Sequence, residues 1–209
     1  RSVDTAAGPV LDIGAGTGIS TQVVADTLPD ARIVAVEPSP AMRAGLDARI
    51  RENPTLRERV VVCPTPLEEA TLPVRVSAVV ATAVLHHFDA DGRRRLLGLL
   101  AEHLAPGAPA FVEVQEPPEP CSVPRTRYHT AAAGEFVHEG WMRAEPESST
   151  TMRWTMTYRT LRGTELLDER HTAFTMHPVP PGQLAAEAGD VGLAARQLAH
   201  GLMELRRPT

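Results

Sequence analysis

The stretch VLDIGAGTG, residues 10–18, decides the reading of this chain. A short buried strand runs into Gly14, Ala15, Gly16, Thr17 and Gly18, and a helix begins at Ile19. Glycines at such a strand-to-helix turn let the main chain come within contact distance of a ligand and take torsions closed to other residues. The dinucleotide fingerprint GxGxxG would need its third glycine at position 19, where Ile19 stands, so a nicotinamide or flavin reading is weakened. A phosphate loop needs a lysine, and all 21 basic residues are arginine. The bland alternative is an ordinary tight turn.

Working outward, residues 10–114 alternate short β-branched runs with amphipathic stretches, the pattern of a parallel sheet flanked by helices. Strands are expected at residues 9–13, 32–36, 59–63, 77–82 and 110–114. Ser39 with Pro40 starts a helix whose apolar face carries Met42, Leu46 and Ile50. A second helix is expected over residues 91–104, with Leu96, Leu97, Leu100 and Leu104 as its stripe and Pro106–Gly107 as its stop. Past Val114 the alternation ends, and Pro117, Pro118, Pro120 and Pro124 predict a stiff, irregular connection. Residues 151–159 alternate strictly, with Met152, Trp154, Met156 and Tyr158 on one face, and pair with an extended run at 165–176 to predict an added antiparallel hairpin. A short helix near 182–188 and strands at 194–198 and 202–205 complete an α/β, doubly wound, mostly parallel seven-stranded sheet. The expected division is a core over 1–114, an irregular lid and hairpin over 115–180, and a terminal helix and strands over 181–209.

The glycine run resembles the GxGxG loop of the class I S-adenosylmethionine-dependent methyltransferases, with Asp12 two residues before the first glycine. Glu37 in VAVEPS follows Gly18 by nineteen residues at a strand end, where its carboxylate can accept both ribose hydroxyls. VVATAVLHHF and HLAPGAPAFVEV are similar to the later motifs of that family. The resemblance implies S-adenosylmethionine as cofactor and S-adenosylhomocysteine as product, with Gly14, Ala15, Gly16 and Gly18 forming the loop. It places Pro38 and Met42 beside the adenine, Thr82 and Ala83 facing the methionine part, and Thr65, Pro66 and Leu67 over the adenine edge. Many relatives carry an aspartate after the third strand, where this chain has CPTPLEE; Thr65 or a carbonyl stands in, with Glu68 as a further candidate. The C-terminal part is similar in kind to small-molecule methyltransferases of bacterial secondary metabolism, including sugar N-methyltransferases.

Methyl transfer from a sulfonium is an in-line displacement, so positioning in a dry site supplies most of the rate and a base is optional. His86 and His87 follow the fourth strand at its ligand-binding end. His87 is the expected acceptor-facing residue, as orienting group or general base, while His86 packs. Trp154, Met156 and Tyr158 line either an acceptor pocket or a core, and Tyr128, His129, His138 and Trp141 are lid candidates. The expected function is methylation of a small organic acceptor at oxygen or nitrogen, with a non-methylating step such as cyclisation as the alternative.

Composition narrows the remaining classes. At 209 residues, 43% hydrophobic and 22% charged, the chain has an ordinary globular composition and one domain's length. A net charge of −5 and no basic run longer than Arg93–Arg94–Arg95 argue against a nucleic-acid partner. No apolar run has the length of a membrane span, and Cys63 and Cys121 show no metal-ligand spacing. A cytoplasmic setting is expected, no metal is, and a homodimer is left open. The chain begins at Arg1 without methionine; relatives usually carry one or two helices there that close over the cofactor, and if the native protein has them, the site of this chain is expected to be unusually open.

Overall fold

In a computed structural model, residues 3–199 and 201–209 are described; Arg1, on which the expectation about the chain's start rests, lies outside them. The chain divides into two compact units, one of residues 1–115 with 181–209 and one of residues 116–180.

The first unit is built on a seven-stranded sheet in the order β10-β11-β5-β4-β1-β2-β3. β1 (Val10–Ile13), β2 (Ile33–Val36), β3 (Val60–Cys63), β4 (Ala78–Ala81) and β5 (Pro109–Glu113) are mutually parallel, and β11 (Leu202–Arg206) and β10 (Ala194–Ala199) close the far edge antiparallel. All four β1 residues are buried, so both faces of the sheet are covered at its centre. Helix α1 (Ile19–Thr27) contributes Val24 and Ala25 to a cluster with Val10, Ile33 and Ala78. Helix α2 (Pro40–Glu52) starts where the Ser39 hydroxyl accepts from the Met42 amide, and its Leu46 packs on Ala35 of β2. Helix α4 (Ala90–His103) is capped by Asp89, which accepts from the Gly92 amide, and buries Leu96, Leu97 and Leu100. Arg93 on the same helix is also buried, forking onto Glu187 of α5 (Pro181–Asp190) through two 3.0 Å bonds. The arginine run is therefore no surface patch: Arg93 is internal and Arg94 pairs with Asp91.

One helix was not expected. α3 (Pro54–Arg59) begins at Asn53, whose side chain accepts from the Thr55 amide, and it occupies the start of the predicted third strand. Its last residue, Arg59, donates to the carbonyls of Ala25, Leu28, Pro29 and Ala31 and so satisfies the C-terminal end of α1.

The second unit corrects the irregular lid predicted after Val114. It is a four-stranded antiparallel meander of β6 (Val123–Ala133), β7 (Phe136–Pro146), β8 (Met152–Arg162) and β9 (Glu165–Met176). The predicted hairpin is its second half. The lid candidates lie on its strands, with Tyr128 and His129 on β6 and His138 and Trp141 on β7. Its small core is Ala144, Met152 and Met176 with Val123, Trp154 and Phe174. Beyond that end the alternation on β8 inverts: Tyr158 is 49% exposed, whereas Thr157, bonded to His171, is buried. Both described cysteines are free thiols, and no helix among the described residues is long and apolar enough to cross a membrane.

Candidate active site

A cavity of about 530 Å³ opens at the carboxyl ends of β1, β2 and β4, beside β1 where the strand order reverses. That volume falls within the range of about 300–1,000 Å³ usual for small-molecule sites. Every lining residue belongs to the first unit.

The glycine loop forms one wall through Gly14 and Gly16. Gly14 has φ 67°, and a Cβ there would lie 2.8 Å from Val84 Cγ2, so both torsion and space demand glycine. Four of the loop's five amides are engaged within the fold. Gly14 and Ala15 donate to the Val36 carbonyl, Gly18 donates to Ala15, and Gly16 donates to Glu37 Oε2 at 2.8 Å. Glu37 Oε1 accepts from the Ser39 amide, also at 2.8 Å, so this 7%-exposed carboxylate bridges the glycine loop to the start of α2. Arg43 holds the same turn by donating to the carbonyls of Glu37, Pro38 and Pro64.

This arrangement selects a ligand class. A pyrophosphate needs free amides or cations, but four of the loop's amides are already used. The sixteen lining residues include Glu37 and Glu68 and no arginine. A cavity with carboxylates and no cation favours a cationic or polyhydroxylated ligand over an anionic one. A ribosyl sulfonium compound meets both conditions, and Glu37 retains lone pairs toward the cavity for hydroxyl donors.

Of the residues read as cofactor-binding, Gly14, Gly16, Glu37, Pro38, Met42, Pro66, Leu67, Thr82 and Ala83 line this cavity together. Asp12, Ala15, Gly18 and Thr65 do not. Asp12 is wholly buried and accepts from Ser20 and Thr21 hydroxyls, tying the end of β1 to the first turn of α1. Burial pushes its pKa up, against the downward pull of the Thr21 and Ser20 bonds. Ala15 packs with Ala35 and Leu46, and Gly18 takes φ 85° with Leu46 Cδ1 2.7 Å from where a Cβ would stand. Thr65 bonds the Cys63 thiol, and Glu68, not Thr65, reaches the cavity wall.

The opposite wall is the segment after β4. Thr82, Ala83, Val84, His87 and Phe88 line the cavity, while His86 is buried behind them. Burial first, and His87 with its ring 4.0 Å away, lower the His86 pKa from 6.5 to about 4, so this imidazole is neutral at physiological pH. The sequence reading did not single out Ser39, Val84 or Phe88 as site residues, nor Glu113, whose Oε2 accepts from the Ala83 amide at 2.7 Å. The residue type at position 83 gives no sign of its left-handed turn, φ 52°.

Residues 11–110 match the family described as "Methyltransferase domain". No curated protein matches the sequence. Among solved structures, the chain is similar to DesVI of Streptomyces venezuelae, with 17% identity, TM-score 0.80, and coverage of 100% of this chain and 87% of that one. It is similar also to CalS10 of Micromonospora echinaspora, described as a SAM-bound amino pentose methyltransferase of calicheamicin biosynthesis, with 17% identity, TM-score 0.79 and coverage of 99% and 86%. The sugar N-methyltransferase KedS8 of Streptoalloteichus sp ATCC 53650 has 18% identity, TM-score 0.76 and coverage of 97% and 81%. Residues 11–110 thus match a methyltransferase domain, and the chain around them shares the fold of these methyltransferase structures.

Proposed function

We propose that the protein transfers the methyl group of S-adenosylmethionine to a small organic acceptor at nitrogen or oxygen, in secondary metabolism. The observation that carries this reading is the cavity itself: a buried carboxylate and a closed glycine loop at one wall, and His87 with Phe88 at the other. Glu37 would hold the ribose hydroxyls, Pro38, Met42, Pro66 and Leu67 the adenine, and Gly14, Thr82 and Ala83 the methionine part. The cofactor supplies an electrophilic methyl on a sulfonium.

The chain's own contribution is mostly positional, because holding a nucleophile in line with the methyl converts a bimolecular step into an effectively unimolecular one. The new bond forms between acceptor and methyl carbon as the carbon–sulfur bond breaks, and the acceptor gives up one proton. His87 is the cavity's one imidazole and the residue proposed to orient the acceptor and take that proton. An amine is the acceptor to test first, supported by the amino-sugar chemistry of two structurally similar proteins. The test is incubation with methyl-labelled S-adenosylmethionine and a panel of amino sugars, aliphatic amines and phenols, read by mass spectrometry. Transfer of one labelled methyl group to an amine is expected. Binding of S-adenosylhomocysteine without transfer to any acceptor of the panel would favour a non-methylating step on the same fold.

A further inference from the structure

We infer that Glu113, outside the cavity wall, is a positioning residue that holds the wall in shape by fixing Ala83 in a left-handed conformation. Resting on the cofactor reading above, this names what keeps that site formed. Ala83 has φ 52° and is the one non-glycine residue of positive φ among the described residues. An L side chain there is strained, and such strain persists only where the surroundings enforce it. The enforcing contact is specific: the Ala83 amide donates to Glu113 Oε2 at 2.7 Å, a charge-assisted bond from the last residue of the neighbouring strand β5.

The strained residue sits where a change of shape would be felt. Thr82, Ala83 and Val84 all line the cavity, and Val84 is keyed against Gly14 so closely that a Cβ on the glycine would come within 2.8 Å of it. Two residues beyond Glu113, Gln115 hydrogen-bonds His86, so the same chain segment supports both ends of the wall that ends in His87. Without Glu113, residue 83 relaxes to negative φ, Val84 turns with it, and a ligand must restore the wall before it binds. Replacing Ala83 by glycine removes the preference for relaxing, because glycine takes this φ without penalty.

The test compares Glu113→Ala in two backgrounds, native and Ala83→Gly, by calorimetric titration with S-adenosylhomocysteine alongside thermal unfolding. In the native background affinity falls about tenfold, the order of one strained residue's worth; in the Ala83→Gly background it falls by less than about threefold. Glu113→Gln, whose amide oxygen still accepts the Ala83 N–H, stays within about threefold of the native protein. Equal losses in both backgrounds, or no loss in the native one, would overturn the inference, since a merely stabilising Glu113 is indifferent to residue 83. If Glu113→Ala does not fold, recovery of folding in the Ala83→Gly background supports the inference and failure in both overturns it. A folded native protein that ignores S-adenosylhomocysteine overturns the cofactor reading, and this inference with it.

Discussion

Removing the Glu37 carboxylate should damage the protein twice, once in the fold and once in the site. In the structure its two oxygens each accept one backbone amide, from Gly16 and from Ser39, both at 2.8 Å, and the side chain is 7% exposed. Hydrogen bonds to a charged partner contribute about 1.5–3 kcal/mol each. Because both amides border a cavity that water can enter, the low end applies, and Glu37→Ala should cost about 3 kcal/mol of unfolding free energy. Glu37→Gln keeps one acceptor oxygen but turns its NH₂ toward the other amide, so about half that cost is expected, roughly 1.5 kcal/mol. In binding, the same carboxylate would accept the ribose hydroxyls, and its loss should weaken S-adenosylhomocysteine at least about tenfold, the effect of a single such bond. Urea unfolding followed by circular dichroism gives the first quantity and calorimetric titration of the folded variants the second. A folded Glu37→Ala protein that binds S-adenosylhomocysteine as the native one does would place the ribose elsewhere and refute the assignment.

Three further outcomes follow from other parts of the first unit. His87→Asn should leave S-adenosylhomocysteine affinity near native while lowering turnover about 10²-fold or more, because the imidazole would act on the acceptor's proton; unchanged turnover would leave catalysis to proximity alone. His86, with its pKa lowered to about 4 in the fold, binds a proton below about 6.5 only when unfolded. It therefore lowers stability progressively from pH 6.5 to 4, by about 2–3 kcal/mol after allowance for solvent screening, and His86→Gln should flatten that slope in urea titrations across this window. Arg93→Ala strands Glu187 in a pair whose side chains are 5% and 17% exposed, and should cost about 3 kcal/mol by chemical denaturation; an Arg93→Met, Glu187→Leu double variant should regain most of it.

The parallel unit was legible because its central strands β1, β2 and β4 are mostly buried and its helices announce their starts. Ser39 and Pro40 fix the start of α2, and the leucines of α4 recur at helical spacing. α3 is six residues long, too short to show a period, and only Asn53–Pro54 marks it. β6 and β7 escaped for a different reason. Nearly every β6 residue is exposed, so no apolar alternation exists to be read, and the ladder to β7 holds the strand while four nearby prolines argue for a loop. In the site, Gly14, Gly16 and Glu37 were readable from spacing, since torsion and charge dictate those residue types. Asp12 and Gly18 belong to the same motif yet act on the fold, one anchoring α1 and the other turning into it. Val84, Phe88 and Glu113 enter through tertiary packing, which leaves no local signature.

The central claim is that the cavity beside the glycine loop takes S-adenosylmethionine rather than a phosphate-bearing dinucleotide. Parallel calorimetric titrations of the native protein with S-adenosylhomocysteine and with NADH test it most directly. Saturable one-to-one binding of S-adenosylhomocysteine, lost in Glu37→Ala, with no heat from NADH is the predicted result; binding of NADH, or none by S-adenosylhomocysteine to the folded protein, would contradict the account.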